Sequence, residues 1–266
     1  MIPYHFRYHR AESIADAEAR LTSSPDARLL AGGQTLISAM KMRLAQPSEL
    51  IDIADLHELS FIRLDSGRIA IGAGAKHCDV ACSSDVRRAI PSLASLAESI
   101  GDPAVRHLGT LGGSIANNDP AADYPAAALA LGATIKTQRR EIGAEDFFTG
   151  MFSTALEDGE IVTEVSFPIP TGAGYAKFPN PASRYALAGC FVAKTTAGVR
   201  VAVTGAAPCV FRATDLEQAL DQDFTPEALS GVAMDPNALV SDIHGSAEYR
   251  AQLVLTMAKR ATAAAR

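Results

Sequence analysis

The sequence predicts an α+β fold, in which short sheets, hairpins and helices alternate without one long βαβ series. Two stretches alternate apolar and polar residues around a turn. They are "FIRLDSGRIAIGAG", with its turn at residues 65–67, and "FVAKTTAGVRVAVTG", with its turn near Ala197 and Gly198. This alternation is typical of antiparallel hairpins. Helical spacing separates the two hairpins, in "DVACSSDVRRAIPSLASLAESI" and in the alanine-rich run from Ala126 to Leu131.

The elements before the first hairpin follow from capping and glycine signals. Ser13 is a good N-cap for a helix that carries Ile14, Ala17 and Leu21 at helical spacing. A short strand is predicted at residues 28–30, then a glycine turn, then a helix over about residues 35–44. The apolar stretch "ELIDI" that follows is predicted to be a buried strand.

The second half of the chain is predicted to contain strands, a boundary and two closing helices. The stretches "ATIKTQ" and "EIVTEVSFPIP" favour strands, and "AEDFFTGMFSTAL" favours a short helix or a loop. The glycine-rich stretch at residues 171–175 is predicted to be a boundary. The last helix places Tyr249, Leu253 and Met257 on one stripe.

Composition and charge exclude several classes of protein. The 266 residues carry a formal net charge of −6, and Lys and Arg are not clustered with aromatic residues, so no nucleic-acid surface is predicted. No apolar run reaches the length of a membrane span. The N-terminal stretch lacks the apolar centre of a signal peptide, which predicts a cytoplasmic protein.

The four cysteines are predicted to be ordinary reduced thiols. His77, Cys78 and Cys82 lie close together in the sequence, but their spacing is not that of a zinc or iron–sulfur site. No second cysteine pair completes such a site. The sequence therefore predicts no metal site in this chain.

Two double-glycine turns are the strongest candidates for a binding site. A glycine pair between a strand and a helix permits positive φ and lets backbone N–H groups approach an anion. Gly32 and Gly33 have this form in "LLAGGQTLIS", and Gly112 and Gly113 have it in "GTLGGSIANN". Two such turns suit a pyrophosphate, because the following helix N-termini also favour an anion. Two purely structural turns remain an equally good interpretation at this point.

The stretch "NNDPAADYP" after the second turn combines capping signals with a spare acid. Asp119 is a good N-cap and Pro120 a good first helical residue, so they are predicted to begin a helix. Asp123 is left free to accept a hydrogen bond from a ribose hydroxyl. The usual nucleotide motifs are missing: no P-loop is present, and His77 occupies the third glycine position of the weak Rossmann-like "GAGAKH".

Five blocks, taken together, resemble a known family. They are "AGGQTLISAMKMRLAQPSELIDI", "IGDPAVRHLGTLGGSIANNDPAADYPAAALALGA", "EDFFTGMFSTAL", "GEIVTEVSFPIP" and "KFPNPASRYALAG". In this order they resemble the FAD-binding medium subunit of molybdenum hydroxylases, a family that includes carbon monoxide dehydrogenase medium chains and the flavin domain of xanthine dehydrogenase. The resemblance covers nearly the whole chain, and the double-glycine loop followed by N-x-DPAAD is its most specific part.

The resemblance implies a flavin fold of the vanillyl-alcohol-oxidase (PCMH) type. Residues 1–173 would form the FAD-binding domain, with subdomains at about residues 1–56 and 57–173. Residues 174–266 would form an α+β domain of the carbon monoxide dehydrogenase flavoprotein C-terminal type, which covers the flavin side.

The resemblance also implies a set of cofactor-binding residues. The two glycine loops would wrap the pyrophosphate, Asp123 would lie on the ribose or phosphate side, and Ile100 would lie near the flavin ring. An aliphatic side chain at Ile161 or Val162 would contact the adenine. Lys177 would contact the flavin, where a cation stabilises the anionic reduced form, and Tyr185 is a further candidate beside the ring. The full set of predicted FAD-binding residues is Leu29, Leu30, Ala31, Gly32, Gly33, Gln34, Thr35, Leu36, Ile100, Thr110, Leu111, Gly112, Gly113, Ser114, Asp123, Ile161, Val162 and Lys177.

The implied function is electron transfer within a complex. FAD on this chain would take electrons from two 2Fe–2S clusters on a small partner subunit and pass them to an external acceptor. A large partner subunit would carry molybdopterin and the substrate site, and the family suggests a dimer of heterotrimers. No side chain of this chain is predicted to act as an acid or a base. Two alternatives stay open: a stand-alone FAD-dependent oxidoreductase of the same fold, and a non-enzymatic nucleotide-binding or assembly module.

Overall fold

The computed structural model describes residues 2–265. The first residue of the predicted FAD-binding domain, residue 1, and the last residue of the predicted C-terminal domain, residue 266, lie outside the described residues. The N-terminal part forms a three-stranded parallel sheet in the order β1-β3-β2. Parallel neighbours need crossover connections, which two helices provide. The elements are β1 (Arg7–Arg10), α1 (Ile14–Ser23), β2 (Arg28–Leu30), α2 (Leu36–Lys41) and β3 (Glu49–Asp52).

Both helix predictions in this part can be compared with the structure. Ser13 caps α1 as predicted, because its side chain accepts a hydrogen bond from the Asp16 amide at 3.1 Å. The second helix is shorter than predicted, since α2 ends at Lys41 and Arg43 adopts a positive φ of 61°.

A five-stranded antiparallel sheet, the central sheet, follows in the order β4-β5-β10-β6-β7. The predicted first hairpin is present, and its turn uses positive φ at Ser66 and Gly67, at 44° and 81°. That geometry matches the twist of the two strands that the turn joins. The strands are β4 (Ile62–Asp65), β5 (Arg68–Gly72), β6 (Thr134–Thr137), β7 (Glu141–Gly143) and β10 (Val162–Pro168).

Helices and a small hairpin lie between β5 and β10 in the chain. One of the helices, α8, has all eight of its residues buried, as expected for a helix that is apolar all round. It contacts both the central sheet and the C-terminal sheet described below. The elements are α3 (His77–Cys82), α4 (Ser84–Ala89), α5 (Pro91–Glu98), α6 (Pro103–Arg106), α7 (Leu111–Asn117), α8 (Tyr124–Leu131), α9 (Ala144–Phe147), β8 (Phe148–Gly150) and β9 (Ser153–Thr154).

The C-terminal part forms a four-stranded antiparallel sheet, the C-terminal sheet, in the order β11-β12-β13-β14. Strand β13 confirms the predicted alternation. Val199, Val201 and Val203 enter a core shared with the last helix, while Ala202 packs into the larger core beneath α8. The elements are β11 (Gly172–Pro179), β12 (Ala186–Thr195), β13 (Gly198–Thr204), β14 (Phe211–Arg212), α10 (Thr214–Gln222) and α11 (Ala247–Ala264).

Residues 119–123, here called the seam segment, join the helices of the first 170 residues to the C-terminal sheet. The Thr204 hydroxyl lies within hydrogen-bond distance of two carbonyl oxygens, those of Pro120 at 2.9 Å and Ala122 at 2.6 Å, and can donate its one proton to either. The Gly205 amide also donates to the Pro120 carbonyl at 2.8 Å. Much of the hydrogen bonding across this boundary is therefore made by backbone carbonyls of the seam segment.

The structure of the seam segment shows that the predicted helix start at Asp119 and Pro120 is wrong. Helix α8 begins only at Tyr124, and Asp119 instead accepts the Ala121 amide at 2.9 Å in a tight turn. The carbonyls that a helix starting at Pro120 would have used are bound by the C-terminal sheet. Long-range pairing therefore overrides the local capping signal.

Candidate functional site

The loop at residues 31–36, the first glycine loop, presents a row of unsatisfied backbone donors. None of these six amides has an acceptor among residues 2–265. Gly33 adopts a positive φ of 68°, a conformation that lets successive N–H groups turn toward one point. Backbone amides that have no acceptor within the folded chain are available to bind an anion such as a phosphate.

The first glycine loop packs closely on the chain segment before the second one. A Cβ built on Gly32 would lie 2.2 Å from the Leu108 carbonyl oxygen and 2.7 Å from the Gly109 Cα. Real Cβ atoms do not approach a backbone so closely, so only glycine fits at position 32. The structure therefore brings the two predicted loops together, as a shared pyrophosphate site requires.

The second glycine loop, residues 110–114, differs from the predicted chemistry. Its glycines lie in the first turn of α7, and the amides of Leu111 and Gly112 donate to the carbonyls of Ala75 and Ala73. The Gly113 amide donates to the Thr110 hydroxyl at 3.1 Å, which is an N-cap. These amides already have partners, so the loop differs from the first in offering no row of free donors.

Gly112 has a packing role that the sequence did not reveal. A Cβ on Gly112 would lie 2.4 Å from the Ala73 Cβ, so the glycine allows α7 to approach the end of β5. The assignment of residues 110–114 to FAD remains a prediction. The hydroxyl groups of Thr110 and Ser114 are the groups there that support it.

His77, whose role the sequence left open, lies directly behind this loop. The residue is 5 % exposed, and a Cβ on Gly109 would lie 2.6 Å from the ring Nε2. Burial, and to a smaller extent Arg106, lowers the pKa of His77 from 6.5 to about 4. The ring is therefore neutral at pH 7 and supports the contact between the two loops from behind.

The depressed pKa of His77 predicts a pH-dependent stability. Below pH 6.5 the unfolded chain binds a proton at His77 that the folded chain does not bind until about pH 4. Stability from the neutral ring is therefore present above pH 6.5 and is lost as the pH falls, by about 2 kcal/mol between pH 7 and pH 5. Urea unfolding of the wild type and of His77→Gln at both pH values measures this difference.

In His77→Gln this component of the pH dependence should disappear. His57→Gln is the control, because His57 is exposed. An unchanged pH dependence in His77→Gln, or an equal change in the control, would contradict the assignment.

A cavity of about 500 Å³ lies between α5 and the C-terminal sheet. Its walls include Ser99, which directly precedes the predicted flavin neighbour Ile100, and also Lys177. The resemblance placed Ile100 and Lys177 beside the flavin, and the structure brings these two parts of the chain to one cavity. The residues that line it are Ser95, Ser99, Tyr175, Ala176, Lys177, Pro179, Asn180, Pro181 and Arg184.

Lys177 and Asp123, both predicted to contact FAD, form a buried ion pair. The Lys177 ammonium lies 3.0 Å from one Asp123 carboxylate oxygen and 3.1 Å from the other. The Tyr175 hydroxyl donates to the same carboxylate. Burial raises the pKa of the Asp123 carboxyl, and Lys177 and the Tyr175 hydroxyl oppose that rise.

The loop between β11 and β12 brings Tyr185 to the first glycine loop. Burial raises the pKa of Tyr185, the charges of Asp119 and Asp123 raise it further, and the nearby Thr35 side chain lowers it. In the same loop, the Asn180 side-chain oxygen accepts hydrogen bonds from the backbone amides of Ala182 and Ser183, and these bonds fix the turn. Tyr185 thus reaches from the C-terminal sheet to the predicted pyrophosphate loop.

The remaining predicted residues lie in less open surroundings. Ile161 and Val162 are 2 % and 6 % exposed and belong to the main core, and Ile100 packs partly buried against that core. Leu29 and Leu30 are half-buried in β2. The roles of these five residues toward FAD remain predictions.

Tyr175 and Arg184 were missed from the sequence. Tyr175 lies two residues before Lys177 in β11, so the two side chains share one face of the strand, and that spacing was a usable signal. Arg184 adopts a positive φ of 63° and donates to the Gly101 carbonyl across the cavity. No local pattern indicated that contact.

The free amides and the cavity fit a dinucleotide cofactor. Free backbone donors suit the pyrophosphate, the cavity has room for a ring system, and Lys177 supplies a cation beside it. Fold and site together define a cofactor-binding protein of the α+β class.

Comparison with known proteins agrees with this class and makes it specific. Residues 4–170 match the family described as FAD binding domain in molybdopterin dehydrogenase, and residues 174–265 match the CO dehydrogenase flavoprotein C-terminal domain. The chain belongs to this family of FAD-binding subunits of molybdenum hydroxylases. The resemblance and the fold class predicted from the sequence are therefore confirmed.

Individual relatives are similar over the whole chain. The carbon monoxide dehydrogenase medium chain of Hydrogenophaga pseudoflava is 37 % identical over 282 residues, covering 100 % of this chain and 98 % of the relative. The nicotine 6-hydroxylase medium subunit of Paenarthrobacter nicotinovorans is 37 % identical over 268 residues, covering 96 % and 95 %. The reconstituted CO dehydrogenase of Oligotropha carboxidovorans has a chain that superposes with a TM-score of 0.91 at 34 % identity, covering 99 % of this chain and 98 % of that one.

The names of these relatives describe chains or subunits of larger enzymes. Among residues 2–265, no helix combines the length and apolar character needed to cross a membrane.

Proposed function

We propose that this chain is the FAD subunit of a molybdenum hydroxylase, and that it passes electrons from partner iron–sulfur clusters to an external acceptor. The single observation that carries the proposal is the row of six free amides at residues 31–36, packed against the segment that leads into the second glycine loop. Family membership supports the same cofactor.

The residues of this chain would bind and orient the cofactor. The first glycine loop would hold the pyrophosphate through its amides, with Thr110 and Ser114 beside it. Lys177 and the segment that contains Ile100 would flank the flavin ring. When bound, FAD supplies the redox chemistry, because it accepts electron pairs and releases them again.

The arrangement of subunits is part of the proposal. Relatives named as medium chains and subunits support a large molybdopterin-binding partner and a small 2Fe–2S partner. A dimer of heterotrimers and a cytoplasmic location are proposals of finer detail. We also propose that the FAD-binding domain ends near residue 173, close to the start of β11 at Gly172.

Reconstitution and co-purification test the proposal. The refolded full chain should bind stoichiometric FAD, gain thermal stability from it, and be inactive alone toward substrates of molybdenum hydroxylases. From its native host, the tagged chain should co-purify with one molybdenum-containing and one iron-containing subunit. Absence of FAD binding would refute the proposed cofactor, and an active lone chain would favour a stand-alone oxidoreductase.

A further inference from the structure

Asp123, Tyr175 and Lys177 form one buried cluster across the boundary between α8 and the C-terminal sheet. Tyr175 and Lys177 project from the same face of β11, and both donate to the Asp123 carboxylate at the start of α8. The Lys177 and Asp123 side chains are 7 % and 5 % exposed. A carboxylate fixed by two donors cannot rotate away from either, so the ammonium has a defined position.

Fold stability alone is a weak reason for this cluster. A buried ion pair loses hydration on both charges, and well-packed apolar side chains of similar volume are often as stable or more stable. The cluster, however, lies at the wall of the 500 Å³ cavity, which Tyr175 and Lys177 both line. Asp123 compensates the charge of Lys177 from behind.

We propose that Asp123 and Tyr175 are positioning residues that fix the Lys177 ammonium at the flavin and cancel most of its charge, and thereby set the reduction potential of the flavin. This inference rests on the proposed function, because it requires FAD beside Lys177. Reduction adds negative charge to the flavin at neutral pH, so an uncompensated cation stabilises the reduced form and raises its potential. When the charge of the cation is compensated, the reduction potential of the flavin stays lower, and the reduced flavin gives up its electrons more readily.

The direct cofactor contact that the resemblance implied for Asp123 remains a prediction beside this positioning role. The Asp123 carboxylate accepts from Tyr175 and Lys177 and acts on the flavin through the lysine. The electrostatics of the cofactor site would then depend on contact between the seam segment and the C-terminal sheet.

Removing the charges of Asp123 and Lys177, one at a time and together, in the FAD-loaded full chain tests this inference. Asp123→Asn leaves the cation uncompensated and should raise the ratio of reduced to oxidised flavin about tenfold at a fixed solution potential, or about 30 mV for a two-electron couple. Lys177→Met should shift the ratio in the opposite direction, and the double variant should return close to the wild type. Redox titration against indicator dyes measures all four proteins.

Two further variants complete the design. Tyr175→Phe removes only a hydroxyl and should shift the ratio in the same direction as Asp123→Asn, by about threefold, because it weakens the hold on the carboxylate. Lys136→Met removes a cation from the central sheet, where Lys136 pairs with Glu141, and should leave the ratio unchanged.

Opposite shifts in the two single variants cannot arise from general damage to the fold, which would move both in one direction. Shifts of the same sign, or a double variant no closer to the wild type than the single variants, would overturn the inference while leaving FAD binding intact. A wild-type chain that binds no FAD would overturn the proposed function and this inference with it.

Discussion

Gly32→Ala is expected to weaken FAD binding by at least about 100-fold, which corresponds to about 2.7 kcal/mol. The added methyl group would lie 2.2 Å from the Leu108 carbonyl oxygen and 2.7 Å from the Gly109 Cα. Both are backbone atoms, so neither can rotate aside as a side chain would. The first glycine loop must therefore move away from the segment before the second loop, and its free amides are displaced with it.

Fluorescence titration with FAD, together with thermal unfolding of the apo chain, measures the two effects of Gly32→Ala separately. Overpacking against rigid atoms typically costs 1–3 kcal/mol of folding stability, so the variant should remain folded at 25 °C. Gly231→Ala is the matched control, because a Cβ at Gly231 meets nothing within 4 Å. Wild-type affinity for FAD in Gly32→Ala would refute the pyrophosphate assignment of the loop.

Arg250→Met is expected to lower the free energy of unfolding of the C-terminal part by about 3 kcal/mol. Arg250 on α11 is 3 % exposed and donates to the carbonyls of Leu187 and Gly205 at 2.7 and 2.8 Å. It also donates to Asp242 at 2.7 Å. Methionine fills a similar volume but supplies no donor, so two buried carbonyls lose their partner.

The effect of Arg250→Met should extend to the cofactor site. The Gly205 amide donates to the Pro120 carbonyl, and the Ala186 amide, one residue before Leu187, donates to the Ala121 carbonyl. Loosening these strands therefore loosens the seam segment. We expect chemical denaturation to show the stability loss and equilibrium titration to show weaker FAD binding.

Arg250→Lys serves as the graded control for this prediction. Lysine keeps the charge, but a single ammonium lacks the planar fork that serves the carbonyls and the carboxylate together. It should recover part of the lost stability. A fully stable Arg250→Met variant would show that the carbonyls find other donors and would contradict the prediction.

Local patterns were sufficient for several of the elements and for the first glycine loop. A few neighbouring residues are enough to predict the hairpin turn at Asp65-Ser66-Gly67 and the inward face of β13, which its alternating valines form. The pair Gly32 and Gly33 follows a strand and precedes a helix, and the structure leaves its amides free as the sequence predicts. In these places local preference and tertiary structure agree.

Long-range packing decided the features that the sequence could not reveal. The partner of Gly112 is Ala73, and the ring behind Gly109 belongs to His77, so each contact joins residues more than 30 positions apart in the chain. The capping signal at Asp119 is real but is overridden by donors from Thr204 and Gly205. A sequence pattern describes neighbours along the chain, and these contacts join residues distant in it.

The seam segment has a consequence for the kinetics of cofactor exchange. The C-terminal sheet binds its carbonyls and Asp123, and Tyr185, in the loop after β11, lies near Thr35 of the first glycine loop. We expect release of a cofactor held between these parts to involve their separation, which breaks the hydrogen bonds that Thr204, Gly205 and Tyr175 make to the seam segment. Dissociation of FAD should therefore be slow and strongly temperature-dependent even at modest affinity, and loading should be fastest before the two parts close on each other.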